Sequence, residues 1–77
     1  MTASKIKGNI IGERVAEARK EKGLKQVDVS AALEVDFGII IDQRQISRIE
    51  KGNRTVRDIE LNALCKILGV DANYFFK

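Results

Sequence analysis

Three helix-period stretches of this chain each run into a glycine, and that punctuation directs the sequence towards a bundle of short helices. From about Asn9 to Lys22, Ile11, Val15 and Ala18 fall on one side, Glu13, Glu17 and Lys20 on the other, and Gly23 stops the helix. Asn9 is the expected N-cap, and Leu24 is placed to pack back. Asp42 opens a second stretch that Gly52 closes. In the third, Thr55-Val-Arg-Asp58 reads as a capping box ahead of Ile59, Leu61, Leu64, Cys65 and Leu68, a broad apolar face ended by Gly69. Asp71 then caps a last turn, Ala72 to Phe76, whose Tyr74, Phe75 and Phe76 crowd together, most of the cluster closing the core and part of it left for a second subunit.

Between the first two glycines, Gln26 to about Val35 predicts another helix, with Val29 and Leu33 inward. Lys25 occupies its N-cap, where Ser, Thr, Asp or Asn would satisfy an amide that Lys does not, at a cost of about 1 kcal/mol. A cation there opposes the helix dipole, so its charge suits a phosphate, although neutral drift explains it as well. The segment Asp36-Phe-Gly-Ile-Ile-Ile41 is too short for a helix of its own. Its alternation sends Ile39 and Ile41 inward and leaves Ile40 outward. Residues 1–8, polar and lightly basic through Lys5 and Lys7, are expected to form a flexible basic arm before one domain spanning 9–77.

The stretch Asp42–Arg54 carries the functional signal. Asp42 is a good N-cap, Gln45 can return the bond, and Gly52 supplies the left-handed stop. At about 100° per residue, Ile46 and Ile49 share one face. Arg44, Ser47, Arg48 and Lys51 occupy the opposite one, with Gln43 at its leading edge. Such a face is common on soluble proteins and by itself favours plain solvation. Arg44, Arg48, Lys51, Arg54 and Arg57, however, are met by a single acid, Glu50, which lies beside the buried face. The outward field is positive, as phosphate binding requires, and Arg and Gln are the residues that bond guanine and adenine edges in the major groove.

Seventy-seven residues are expected to form one modest core and are too few for that core plus a separate effector domain. A formal charge of +3, with 14 Lys+Arg against 11 Asp+Glu, favours a polyanionic partner. With no histidine and one cysteine, Cys65, the chain cannot form an internal disulfide, a His-Cys zinc site or a histidine-based triad, and no catalytic constellation can be assembled. We therefore expect no enzyme activity and no cofactor. Cys65, mid-face, reads as a small packed residue rather than a reactive thiol. No apolar run approaches the roughly 18 residues of a membrane span, and Met1 to Gly8 lacks the apolar core of a signal peptide. The expected location is cytoplasmic.

Taken together, Ile11-Gly-x-Arg14-Val15, Ala18-Arg19, Gly23-Leu24-x-Gln26, Ile46-Ser-Arg-Ile-Glu-x-Gly52, Leu61, Leu64 and Leu68-Gly-Val70 resemble the phage-repressor and Cro-like helix-turn-helix regulators, which include the xenobiotic-response-element proteins of bacteria. The resemblance runs from about Ile10 to Phe76. It implies an all-α, compact five-helix, lambda-repressor-like DNA-binding domain, with helices two and three as the motif and helix three in the major groove. It further implies a structural salt bridge between Arg19 and Glu50. Phosphate contacts are expected from Lys25, Gln26, Lys51, Asn53, Arg54 and Arg57, and base contacts from Gln43, Arg44, Ser47 and Arg48. The chain departs from the usual tight turn by six extra residues, Asp36 to Ile41. This is similar to a long-turn variant in which a Gly-Ile-x-Ile segment, here Gly38-Ile39-Ile40-Ile41, leads into helix three and an Arg follows a Gly soon after, here Gly52-Asn53-Arg54. Asp42, where relatives often carry a hydroxyl residue, removes one phosphate donor and adds a repelling charge.

The expected function is a sequence-specific, double-stranded-DNA-binding transcriptional regulator. It would act as a repressor on a palindromic operator through a homodimer that is weak in solution and completed on DNA. The competing expectation is an antitoxin or bridging module, with Ile40 and the Tyr74–Phe76 surface binding a protein partner and DNA contact secondary.

Overall fold

The computed structural model describes residues 3–76, with side chains from Ile11 onward. Four α-helices follow one another: α1 (Ala3–Glu21), α2 (Gln26–Phe37), α3 (Gln43–Glu50) and α4 (Asp58–Leu68). The fifth element is a 3-10 helix over Ala72–Phe76. The all-α class therefore stands, with four α-helices among the described residues in place of the five expected. The closing turn is tight because both bonds that form it reach back three residues: the Tyr74 amide lies 3.1 Å from the Asp71 carbonyl and 3.2 Å from its Oδ1.

Three element boundaries differ from the sequence reading. Helix α1 begins at Ala3 rather than after Asn9. A residue that can cap starts a helix only where the preceding chain is unsuited to one, and Lys5, Ile6 and Lys7 are compatible with helix. The side chains of Lys5, Lys7 and Asn9, and Met1 and Thr2 altogether, lie outside the described residues. Helix α2 runs to Phe37, two residues beyond Val35. Continuing the helix places Phe37 one turn after Leu33, on the buried stripe begun by Val29, where it packs against the core. The turn to α3 is correspondingly shorter: Gly38 takes φ 67°, its amide bonds the Glu34 carbonyl, and the Ile39 amide bonds that of Leu33, closing the helix end. Helix α4 starts from Arg57, whose amide donates to Glu60 Oε1 at 3.0 Å, so the capping acceptor is Glu60 and not the expected Asp58 of Thr55–Asp58.

The core joins all five elements through Ile11, Val15, Ala18, Val29, Leu33, Ile41, Ile46, Ile49, Ala63, Leu64, Leu68 and Phe75. Helix α1 packs on α3 and on the 3-10 helix, and α2 packs on α3 and α4. The expected apolar face of α4 requires correction at Ile59, which is 70% exposed. Five positions at about 100° each carry Leu64 to the far side of the helix from Ile59, and the buried stripe is instead Glu60, Ala63, Leu64 and Leu68. Cys65 is half-buried, and burial pushes its thiol pKa up, which keeps it protonated at neutral pH. In the turn before α3, Ile41 is buried, Ile39 packs on the core and Ile40 is exposed. The Ser30 hydroxyl donates to the Ile41 carbonyl at 2.6 Å, fastening this turn to α2.

Candidate nucleic-acid interface

Helix α3 starts where Asp42 Oδ1 accepts the Gln45 amide at 3.0 Å. It stops where the Gly52 amide bonds the Ile49 carbonyl and the Asn53 amide that of Arg48. Eight residues between these caps hold Ile46 and Ile49 fully inside the core. The side opposite carries Arg44, Arg48 and Lys51 in the open, with Ser47 half-buried beside them. Arg44 and Arg48 are one turn apart, and Lys51 lies seven positions after Arg44, so the three make a cationic ridge along the outer side of the helix.

What orients this ridge is a polar ladder at its edge. The Glu50 carboxylate accepts from Arg19 Nε at 2.7 Å, from Arg19 Nη2 at 3.1 Å and from Gln26 Nε2 at 2.9 Å, while Arg19 Nη1 donates to the Leu24 carbonyl at 2.9 Å. The Arg19 and Glu50 side chains are 12% and 8% exposed, and their hydrogen bond holds the arginine pKa above its ordinary value against the opposing effect of burial. Gln43 Nε2 then donates to Gln26 Oε1 at 3.1 Å. Gln43 and Glu50 are two turns apart on one stripe, so Gln26 of α2 touches both ends of α3. Each of the two glutamine amide nitrogens keeps a second N–H for an outside acceptor. Gln43 thus belongs to the seam with α2, whereas Arg44, Arg48 and Lys51 form the crest.

The loop from Lys51 to Arg57 continues the cationic surface, but its members are not equivalent. Lys51, Asn53 and Arg57 are exposed. Arg54 is half-buried, and its guanidinium, expected to face phosphate, turns inward: Nη1 and Nη2 donate to Glu60 Oε1 and Oε2 at 3.0 and 3.2 Å, and Nη1 also meets the Thr55 carbonyl at 3.1 Å. Glu60 is the one charged residue in the buried set among the described residues. Bonding from Arg54 first, and then from the Arg57 amide, holds its carboxyl below the usual carboxylate range despite burial. Sequence reasoning missed Glu60. The available signal was its third position in a helix starting at Asp58, combined with a basic loop just upstream.

Among the described residues, Arg44, Arg48, Lys51 and Arg57 make no salt bridge, while Glu50 is matched by Arg19. Lys25, also exposed, sits at the N-cap of α2, its amide held by Asp28 Oδ2 at 2.8 Å. An outward positive surface thus runs along α3 and into the following loop. Among the described residues, no helix is long and apolar enough to cross a membrane.

The Tyr74–Phe76 cluster divides between core and surface. Phe75 is fully buried, and the Tyr74 hydroxyl donates to Glu17 Oε1 at 3.2 Å, with Arg14 lying 5.5 Å from its ring centroid. Phe76 remains 53% exposed.

A family model described as a helix-turn-helix domain matches residues 12–77. Comparisons with curated proteins and with solved structures gave no match.

Proposed function

The chain belongs to the helix-turn-helix domain family, and from that premise we propose that it is a sequence-specific transcriptional regulator that reads duplex DNA through α3. The observation that carries this reading is the division of α3 into a buried pair, Ile46 and Ile49, and an exposed ridge, Arg44, Arg48 and Lys51, set by the Arg19–Glu50–Gln26–Gln43 ladder. A helix held rigidly from behind, with long donors in front, suits insertion into the major groove. Arg44 and Arg48 bond base edges, with Ser47 and the free N–H of Gln43 beside them. Lys25, the free N–H of Gln26, Lys51, Asn53 and Arg57 bond phosphates on either side.

One such helix reads only a few base pairs. Two copies placing their α3 helices about 34 Å apart read a palindrome on one face of the duplex. The protein acts as a dimer completed on its operator, and occupancy of a promoter by that dimer represses transcription. Salt dependence tests the electrostatic half of the account: six or more phosphate contacts predict a loss on the order of a thousandfold in affinity between about 50 and about 200 mM salt. Affinity that barely responds to salt would move the account to an apolar partner held by Ile40 and Phe76.

A further inference from the structure

We propose that Glu60 decides which cations of the α3–α4 loop reach DNA phosphate, by withdrawing Arg54 from the surface and leaving Lys51 and Arg57 to serve. The inference rests on the DNA reading above and deepens it. A carboxylate 7% exposed accepts both Arg54 Nη atoms and the Arg57 amide. Arg54 Nη1 is further spent on the Thr55 carbonyl. One buried acid thus binds residues 54 and 57 of a four-residue stretch. The Arg54 charge is cancelled where it sits, and the Arg57 backbone is fixed while its guanidinium stays outside. A guanidinium already paired bidentately to a desolvated carboxylate gains little by leaving it for a solvated phosphate, because departure strands the acid. Arg54 therefore releases no counterion on binding and adds nothing to the salt slope.

Glu60→Gln reverses this. The amide oxygen can still accept from the Arg57 N–H, so the start of α4 keeps its bond. The amide nitrogen, a donor, then faces a donor of Arg54, and the charge pairing is gone. Arg54 swings out and becomes one more cation beside the duplex.

The experiment measures binding to a random-sequence duplex between about 50 and about 200 mM salt for the parent, Glu60→Gln, Arg57→Ala and Arg54→Gln combined with Glu60→Gln. Each phosphate contact contributes roughly 0.9 to the slope of log affinity against log salt. Relative to the parent, Glu60→Gln gains about that amount, an additional three- to fourfold loss over the range, Arg57→Ala loses it, and the double variant keeps the parental slope. The double variant shares the loss of the Glu60 carboxylate but lacks a cation at position 54, so it separates release of Arg54 from destabilisation. A parental slope in Glu60→Gln, or a reduced one in the double variant, would overturn the inference while leaving DNA binding intact. A parent that binds no duplex at all overturns the DNA reading and this inference together. In the protein alone, slow rotation of the Arg54 guanidinium seen by NMR is expected in the parent and lost in Glu60→Gln, and a freely rotating parental Arg54 would also overturn it.

Discussion

Arg19 Nε in α1 lies 2.7 Å from Oε2 of Glu50 at the end of α3, a bond spanning thirty-one residues of sequence. It ties the first helix of the fold to the last turn of the helix that faces outward, and the second glutamate oxygen extends the tie to α2 through Gln26. Arg19→Ala leaves the part-buried Glu50 carboxylate with only the Gln26 amide, and we expect a loss of about 3 to 5 kcal/mol in urea unfolding. Exchanging both partners for methionine should recover most of that loss, because no unpaired charge is then buried. Equal losses in the single and double variants would mean that packing, not charge, sets the cost.

Gly12 meets α3 backbone to backbone. A β-carbon built there would collide with the Ile49 carbonyl oxygen and lie 3.0 Å from that of Glu50, and neither acceptor can rotate away as a side chain would. Gly12→Ala should therefore push α1 and α3 apart, costing about 1 to 3 kcal/mol and shifting the backbone NMR resonances of residues 46–50. An unchanged melting temperature would refute this close approach.

The sequence and the structure agree where a single periodicity decides the outcome. Ile46 and Ile49 inside, Arg44 and Arg48 outside, and Val29 and Leu33 beneath them all follow from the helical repeat. The sequence misled where two local signals competed. Thr55–Asp58 has the spacing of a capping box, but Glu60 wins the helix start because it also gains Arg54. Ile59 is a different case: the helical repeat already places it away from Leu64 and Leu68 and puts Ala63 between Glu60 and Leu64, so its apolar character misled where the period alone did not. The inward turn of Arg54 was not legible, because from composition alone a basic residue in a basic loop resembles its neighbours, and only the position of a buried carboxylate distinguishes it.

The helix register of α4 makes a direct contrast. Leu64→Ala should cost about 2 to 5 kcal/mol, as a filled core position does. Ile59→Ala, at a site 70% exposed, should stay within about 0.5 kcal/mol of the parent. Reversed costs in urea unfolding would place α4 in the other register.

Acid should weaken the fold through Glu60. Its carboxyl pKa is held low in the folded chain, mainly by the Arg54 bond. The stabilisation is therefore complete above the ordinary carboxylate range and is lost as pH falls through the lower, folded value. The urea midpoint should drop on acidification, and Glu60→Gln should flatten that part of the profile. An identical acid limb in the variant would assign the effect to other carboxylates.

On the proposed reading, Arg48 and Arg57 are expected to separate the two kinds of DNA contact. Arg48→Ala should cost about 1 to 3 kcal/mol on the preferred site and little on random duplex, while Arg57→Ala should weaken both alike. These are compared by titrating each variant against the two duplexes at matched salt. Equal losses on both duplexes for Arg48 would remove it from base reading.

The central claim, that α3 reads base sequence, is tested most directly by selecting bound duplexes from a random-sequence library with the purified chain at about 150 mM salt, where non-specific binding is weakened. The account predicts enrichment of a palindrome whose half-sites are one helical turn apart. Recovery of duplexes without any shared sequence would contradict it, leaving the ridge of Arg44, Arg48 and Lys51 as a phosphate-binding surface.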